Sequence, residues 1–333
     1  MKIVNRIIDH HYFSIKSNSI REGEEIPFNF YIKREGDFVV LIEMGTYINK
    51  ELYKQILYNL KVWIHKQDAY RTSEYLKLDF SPNNRSKNSI ILDALTLNKT
   101  LSVTDDSNEL LRILYTSTLN LMEMIFDFPD DEFPFDAVKS CAVGLAAFVN
   151  NQEKLVHTFL QITPENYSIQ HHSTNVAFLT TILAKKAGFS MHDLVNIAIA
   201  GLLHDIGKIY VNKELLNKNT TLSDYEFELV QAHSHEGVKF LEGNGFTEQH
   251  ILNAIHFHHE KLDGSGYPKQ LRGKMIPDIA RMLGICDIFD ALISKRTFRF
   301  SYSNYEAFLL MKDEMRGKID NRYLNLFIQI FTE

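Results

Sequence analysis

The stretch Leu202-Leu203-His204-Asp205-Ile206-Gly207-Lys208 joins an apolar run to an adjacent histidine and aspartate. On a helix, residues three apart share a face, so the carboxylate of Asp205 and the ammonium of Lys208 are expected to point into one pocket. A structural salt bridge would be a sufficient explanation if no other polar groups lay nearby. Eleven of the 14 histidines, however, fall between His157 and His259, and this clustering needs a chemical reason.

Further histidines and acids recur on the apolar faces of neighbouring predicted helices. His172 shares a helical stripe with Val176, for example, and Asp287 lies near Leu283 and Ala291. A single inward histidine is usually a hydrogen-bonded core residue, but burying several with acids is costly unless a cation compensates. The other members of this set are His204, Asp205, His233 and His258.

The residue types of this set predict a metal centre. Imidazole and carboxylate ligands without thiolates suit iron, manganese or zinc, and do not suit a closed cysteine-based structural zinc site. Counted with His259, five histidines and two aspartates exceed the needs of one ion. A two-metal site is therefore expected, in which a carboxylate such as Asp205 bridges ions about 3.5 to 4 Å apart.

Length and composition limit the class of protein. A chain of 333 residues with 45% hydrophobic and 23% charged residues predicts a soluble globular protein of two domains. A formal net charge of −6 argues against binding to long nucleic acid but allows a small phosphorylated ligand. We find no signal peptide and no apolar run of about 18 to 20 residues, so no membrane association is expected and a cytoplasmic location is predicted. Cys141 and Cys286 lie in apolar contexts and are expected to be buried thiols.

The first part of the chain predicts a small α+β unit. Apolar alternation over residues 26–44, interrupted by Arg34-Glu35-Gly36-Asp37, predicts a β-hairpin. A helix capped by Asn49 and a short strand at 62–64 should follow. Residues 81–88 have the composition of a linker.

The rest of the chain predicts helices. Leu110, Leu114, Leu121 and Ile125 indicate an amphipathic helix. The acidic stretch 127–136 interrupts it, either as a solvated loop or as a site that docks a partner. From about residue 137 onward we expect only helices and loops, with a capping box at Ser223 and Glu226 and a cap at Thr247.

Two downstream features are compatible with phosphate chemistry. The run Glu260-Lys261-Leu262-Asp263-Gly264-Ser265-Gly266-Tyr267-Pro268 can be an ordinary tight turn, but its position directly after two histidines favours a loop that faces substrate. Arg296 and Arg299 follow the segment of Asp287, and guanidinium groups suit phosphate oxygens, although surface solvation would also explain them.

The motifs taken in order resemble the HD-GYP family over roughly residues 165–330. They are His172-Ser173, His204-Asp205-x-Gly207-Lys208, His233 with Gly237, His258-His259-Glu260, Asp263-Gly264-Ser265-Gly266-Tyr267-Pro268 and Asp287-x-x-Asp290-Ala291-Leu292. Together with the patterns above, the resemblance leads us to expect a mainly α fold, a C-terminal all-helical HD-type bundle with a small N-terminal α+β module. The expected domains are a regulatory module over 1–80, a helical linker or remainder of the regulatory region over 81–150, and a catalytic domain over 151–333.

The resemblance also implies an activity and its residues. The family hydrolyses cyclic di-GMP to pGpG or GMP through a metal-bridging hydroxide, with Asp205 and Lys208 as catalytic residues. Substrate contacts are implied for Lys208, Gly264, Tyr267, Arg296 and Arg299. The family's Arg-Pro-Tyr-Arg pattern appears here as Arg296-Thr297-Phe298-Arg299, which lacks the tyrosine hydroxyl. The implied metal ligands are His172, His204, Asp205, His233, His258, His259 and Asp287.

Some family members bind three metals through a glutamate one helical turn before the first histidine. Ser168 occupies that position here, so we expect two divalent ions per chain, iron or manganese.

Alternatives remain open at this stage. One is a phosphodiesterase acting on cyclic GMP-AMP or another nucleotide, and a second is a non-catalytic cyclic-dinucleotide receptor. The N-terminal module or the Gly264–Pro268 loop could bind a signalling protein partner, and a homodimer is compatible with the sequence.

Overall fold

The computed structural model divides into two compact units, Met1–Val103 and Thr104–Glu333. The predicted mainly α fold with a small N-terminal sheet is confirmed. None of the described helices is both long enough and apolar enough to span a membrane. The structure describes residues 12–16, 20, 22–34, 37–57, 61–65, 68, 87–100, 106–152, 159, 168–216, 218, 220–294 and 301–332.

The first unit is built on a four-stranded antiparallel sheet of order β1-β4-β2-β3. The strands are β1 (Tyr12–Lys16), β2 (Phe30–Arg34), β3 (Asp37–Ile42) and β4 (Lys61–His65), and the helices are α1 (Lys50–Leu57) and α2 (Lys87–Thr100). The predicted hairpin is confirmed, because β2 and β3 pair from Phe30 opposite Ile42 to Arg34 opposite Asp37. The Asn49 side chain accepts from the Leu52 amide at 2.9 Å, which confirms the predicted cap of α1.

One face of this sheet carries the apolar core of the unit. Phe28 and Phe30 are fully buried there and meet edge to face with their ring centroids 5.2 Å apart. Leu92 of α2 packs in the same cluster. The predicted linker lies mostly outside the described residues, and α2 begins at Lys87.

In its described residues the second unit consists of helices and loops, with one isolated β-bridge between Asp263 and Arg272. Its first helices are α3 (Ser107–Asp127), α4 (Phe135–Asn151), α5 (Ile169–Lys186) and α6 (Met191–Leu203). They are followed by α7 (Lys213–Leu216), α8 (Asp224–Gln231), α9 (His233–Gly243), α10 (Gln249–Phe257), α11 (Asp278–Ile293), α12 (Asn304–Glu314) and α13 (Asn321–Ile330). The interruption at the acidic stretch is confirmed, because α3 ends at Asp127 and α4 begins at Phe135.

Local signals in the sequence set most of these helix starts. Ser223 and Glu226 form the predicted capping box of α8. The predicted cap at Thr247 is wrong, because α10 starts one residue later with Glu248 as its N-cap. Cys141 on α4 and Cys286 on α11 are free, buried thiols, as predicted.

Two glycines allow the helices of the second unit to approach closely. A Cβ at Gly201 of α6 would lie 2.5 Å from Ala177 Cα of α5. A Cβ at Gly284 of α11 would lie 2.6 Å from the His258 carbonyl oxygen at the end of α10. A side chain at either position would push the helices apart. These glycines therefore allow close contact between the helices that carry the predicted metal ligands.

Candidate metal centre

All seven predicted ligands lie at the ends or on the buried faces of helices in the second unit. His172 lies one turn into α5, and Asp287 lies in the middle of α11. His204 and Asp205 follow the last residue of α6, and His233 is the first residue of α9. His258 and His259 follow the last residue of α10. The structure brings the side chains of all seven together.

Asp205 and Lys208 lie in a turn and a 3-10 helix, and not on one α-helix. Helix α6 ends at Leu203, and a 3-10 helix over Ile206–Tyr210 follows. The two side chains still meet, with Lys208 Nζ 2.5 Å from Asp205 Oδ2. The chain can make this tight turn because the Lys208 amide donates to the Asp205 carbonyl oxygen at 2.9 Å.

The ligand-capable atoms form two groups, and in each group they lie within 4.8 Å of one another. The first group is Asp205, His233, His258 and His259. The second group is His172, His204 and Asp287. Three or four nitrogen and oxygen atoms per group match the number of protein ligands that one divalent ion takes in a site with an open position.

The carboxylate of Asp205 spans both groups. Its Oδ1 lies 3.3 Å from His233 Nε2, a member of the first group. Its Oδ2 lies 3.4 Å from His204 Nε2 and 3.6 Å from His172 Nε2, both members of the second group. A carboxylate with one oxygen toward each group has the arrangement of a bridging ligand.

Hydrogen bonds fix which nitrogen of each imidazole faces the centre. The Nδ1 atoms of His204, His233 and His258 lie 2.6 to 2.7 Å from the backbone carbonyl oxygens three residues earlier. A carbonyl oxygen only accepts, so each Nδ1 carries the proton and donates it. Each Nε2 is then left with a lone pair, which is the form of imidazole that binds a metal.

Buried polar atoms without partners mark the same place. Within the described part of the chain, Nε2 of His204, Nε2 of His258 and Oδ1 of Asp205 have no hydrogen-bond partner although all three are buried. Leaving such atoms unpaired is costly, and three of them converge here. The donor set therefore fits divalent metal ions, which would supply the missing partners.

The charge states match this interpretation. Burial alone would raise the pKa of Asp205, but the Lys208 ammonium holds it well below its ordinary value. Burial lowers the pKa of His233 to about 4 and that of His258 to about 3. At neutral pH the aspartate is ionised and the two imidazoles are neutral, as metal ligands must be.

Asp287 shows the same balance of burial and charge as Asp205. Burial would raise its pKa, but the neighbouring His172 and His259 lower it to well below its ordinary value. Its Oδ1 lies 3.1 Å from His172 Nε2, and its Oδ2 lies 3.6 Å from His259 Nδ1. Asp287 therefore provides a second ionised carboxylate between members of the two groups.

The remaining histidines near these positions are outside both groups. His171 Nδ1 lies 2.7 Å from the Oγ of Ser168, the N-cap of α5. His235 and His256 stack on each other with ring centroids 5.6 Å apart. Ser168 therefore caps a helix and offers no carboxylate to the centre.

The loop that follows His259 lies beside the first group. The Tyr267 ring centroid is 4.7 Å from that of His259 and 6.4 Å from that of His233. The Glu260 carboxylate secures the loop by accepting from the amides of Lys269 at 2.6 Å and Leu271 at 2.9 Å. The predicted substrate contacts Gly264 and Tyr267 are thus on a loop fixed by hydrogen bonds. Arg296 and Arg299 lie outside the described residues.

Sequence reasoning assigned no role to Asp290. Its Oδ2 lies 2.7 Å from His172 Nδ1, and its Oδ1 accepts from the Asn175 side chain at 2.9 Å. The signal in the sequence was its spacing, since an acid three residues after Asp287 lies on the same face of α11. Asp290 therefore orients His172, a member of the second group, through the ring nitrogen that faces away from the centre.

Comparison with known proteins identifies the second unit. A family model described as HD domain matches residues 155–323, half of the chain. A 3'3'-cGAMP-specific phosphodiesterase of Vibrio cholerae is 34% identical over 159 residues, which are 47% of this chain and 37% of that protein. A cyclic di-GMP phosphodiesterase of Pseudomonas aeruginosa is 34% identical over 167 residues, which are 50% of this chain and 40% of that protein. The matches therefore cover less than half the length of these relatives.

A solved structure shares the fold. An HDG"Y"P protein from Bdellovibrio bacteriovorus has a TM-score of 0.62 at 22% identity, covering 97% of this chain and 100% of that chain. The resemblance to the HD-GYP group that the motifs indicated is confirmed. This chain belongs to the HD domain family.

Proposed function

We propose that this chain is a metal-dependent phosphodiesterase that hydrolyses cyclic di-GMP to pGpG and/or GMP. The observation that carries the proposal is the pair of ligand groups joined by the two oxygens of Asp205. Paired metal sites with a shared carboxylate suit displacement at a phosphate. The names of the two relatives described above, both cyclic dinucleotide phosphodiesterases, support the substrate class.

We propose two divalent ions per chain, iron or manganese. Seven nitrogen and oxygen donors without a thiolate suit these ions. A third ion would need a further acid near the start of α5, where Ser168 instead bonds His171. Glu165, an acid seven residues before His172, lies outside the described residues. Metal analysis combined with anomalous diffraction should give two ions, and three fully occupied peaks would contradict the reading of Ser168.

The residues around the centre have separate roles in this proposal. When bound, the two ions would supply Lewis acidity that activates water and neutralises phosphoryl charge. The Lys208 ammonium adds a fixed positive charge beside Asp205, and its side chain is 15% exposed, so it can reach a phosphoryl oxygen. Asp205 stays ionised at neutral pH, because the Lys208 ammonium overcomes the effect of burial on its pKa. Phosphoryl transfer depends mainly on such positioning and electrostatics.

The loop with Tyr267 is proposed to contact the nucleotide. Phe227 of α8 is 47% exposed, and its ring lies edge to face with that of Tyr267 at 6.2 Å between centroids. Aromatic surfaces of this kind bind nucleobases by stacking. Gly264, with φ of +81°, allows the turn that precedes Tyr267. Arg296 and Arg299 remain proposed phosphate contacts on the basis of sequence.

Cyclic GMP-AMP is a second candidate substrate. The relative from Vibrio cholerae that is named for 3'3'-cGAMP is as similar to this chain, at 34% identity, as the one named for cyclic di-GMP. The residues of the metal centre act on the phosphate and not on the base. They therefore favour neither substrate.

A side-by-side turnover assay tests the proposal. The protein is loaded with Mn²⁺, or with Fe²⁺ under reducing conditions, and incubated with cyclic di-GMP or 3'3'-cGAMP before product chromatography. Asp205→Asn, which keeps the size of the side chain but removes its charge, is the matched control. Linear or mononucleotide products that depend on Asp205 support the proposal. Hydrolysis of 3'3'-cGAMP alone would show that cyclic di-GMP is the wrong substrate. Tight binding without turnover would show that the protein is a receptor and not an enzyme.

A further inference from the structure

A chain of three buried hydrogen bonds leads from the metal centre to helix α3. His172 Nδ1 lies 2.7 Å from Asp290 Oδ2, and Asn175 Nδ2 donates to Asp290 Oδ1 at 2.9 Å. The Tyr115 hydroxyl donates to Asn175 Oδ1 at 2.9 Å. Each of the four residues is no more than 6% exposed, so water does not compete for these bonds.

The chemistry of each group sets the direction of this chain. The Asp290 carboxylate accepts from both neighbours, so His172 Nδ1 is a donor and its Nε2 carries the lone pair that can bind a metal. The Asn175 amide must then turn its nitrogen toward Asp290 and its oxygen away. That oxygen is buried and needs a donor, which the Tyr115 hydroxyl provides.

The surroundings of Tyr115 keep its hydroxyl a donor. Burial, and then the charge of Asp290, raise the pKa of Tyr115 well above its ordinary value, so the phenol remains protonated. Its ring packs beside that of Phe178 on α5, with centroids 5.8 Å apart. The aromatic ring thus anchors the hydroxyl on the helix that also carries His172.

We propose that Tyr115 and Asn175 are positioning residues that, through Asp290, hold His172 in the orientation that binds metal. This inference rests on the proposed metal centre. Tyr115 lies on α3, ahead of the segment 155–323 that matches the HD domain. The metal centre therefore depends on a residue outside the family segment.

The substitution Tyr115→Phe tests the proposal, because it removes only the hydroxyl. Calorimetric titration of the metal-free protein with Mn²⁺ should show affinity about threefold to tenfold weaker than in the wild type, the effect of one net hydrogen bond. The matched control is Thr181→Val, which removes a buried hydroxyl of α5 that bonds the Ala177 carbonyl at 2.7 Å. Affinity should be unchanged in this control.

A double-mutant cycle separates positioning from packing. Asp290→Asn should weaken Mn²⁺ binding by about tenfold or more, as loss of a group behind a metal ligand does. Adding Tyr115→Phe to Asp290→Asn should cause no further loss, because both act through one chain. If the two fold-changes multiply, Tyr115 acts through packing alone and the proposal is overturned.

The same titrations distinguish this inference from the proposed function. If the wild type binds no Mn²⁺, both fail. If the wild type binds Mn²⁺ and Tyr115→Phe binds it equally well, only the positioning role fails. Thermal unfolding of the metal-free variants shows whether each is folded, and the Tyr115→Phe and Thr181→Val proteins should melt within a few degrees of each other.

Discussion

Gly207→Ala should disrupt the metal centre by adding a single methyl group. Gly207 lies in the 3-10 helix that follows Asp205, where the backbone touches the start of α9. A Cβ there would lie 2.0 Å from the His233 carbonyl oxygen and 2.5 Å from the Gly237 nitrogen. Both neighbours are backbone atoms, so no side-chain rotation can relieve the overlap.

The size of the effect follows from this geometry. Contacts of real Cβ atoms are essentially never closer than 3.0 Å, so the closest one must lengthen from 2.0 Å by about 1 Å. That movement would separate Asp205 from His233. In the wild type, Asp205 Oδ1 and His233 Nε2 are 3.3 Å apart. A misplacement of about 1 Å can lower a rate by about 100-fold. Overpacking of this kind also costs about 1 to 3 kcal/mol of stability.

Two other glycine-to-alanine changes calibrate the result. In Gly243→Ala, no atom of the described residues lies within 4 Å of the new Cβ apart from its chain neighbours and the nearby backbone of α9, so activity and metal affinity should match the wild type. In Gly237→Ala the nearest atom is the Gly207 nitrogen at 3.1 Å, which predicts an intermediate loss.

The assays are the kcat/KM for the hydrolysed dinucleotide, Mn²⁺ affinity by calorimetry, and urea unfolding of the metal-free proteins. The expected order of loss is position 207, then 237, then 243. If Gly207→Ala binds Mn²⁺ and turns over substrate like Gly243→Ala, the contact between the turn and α9 does not hold the centre together.

Three further outcomes are expected. Asp205→Ala should abolish hydrolysis and lower bound metal, measured by product chromatography and metal analysis, since one carboxylate faces both groups; wild-type turnover would exclude a bridging role. Arg296→Ala should mainly raise KM, because a phosphate-binding cation away from the metals contributes binding; a hundredfold fall in kcat at constant KM would place it in the transition state. The metal-free protein should lose stability in urea melts as the pH falls from about 6.5 toward 4. The reason is that His233 and His258 bind protons in the unfolded chain but not in the folded chain over this range. Equal stability at pH 7 and pH 5 would contradict this.

Most of the fold could be predicted because its signals are local. Alternation of apolar residues fixed the hairpin, and Ser223 with Glu226 marked the start of α8. The cap at Thr247 was predicted one residue too early, because Glu248 is the N-cap and makes no side-chain capping bond that its sequence could signal. The 3-10 helix after Asp205 gives no such local signal, since the segment that Gly207 packs against, the start of α9 at His233, is distant in the sequence.

The members of the metal centre could be predicted for a different reason. A histidine or aspartate on the apolar face of a helix is unusual, because burying a polar group is costly. Each such residue can be recognised from its sequence neighbours alone. Their neighbours give no such signal. Tyr115 and Asn175 are 60 residues apart along the chain, and Asn175 and Asp290 are 115 apart. A tyrosine on an amphipathic helix is ordinary, so only the packing of α3 against α5 reveals its hydrogen bond.

The metal-free centre has a physical cost that explains its construction. Asp205 and Asp287 are both held ionised close to His172, at 3.6 and 3.1 Å from its Nε2. Two carboxylates this close repel each other, and an imidazole that presents a lone pair at Nε2 does not offset their charge. Rigid support from Asp290 behind His172, and from carbonyl oxygens behind His204, prevents the ligands from turning away to relieve this repulsion. Because the ligands are already in place, metal binding requires little reorganisation. The positive charge of the metal ions offsets the repulsion between the two carboxylates.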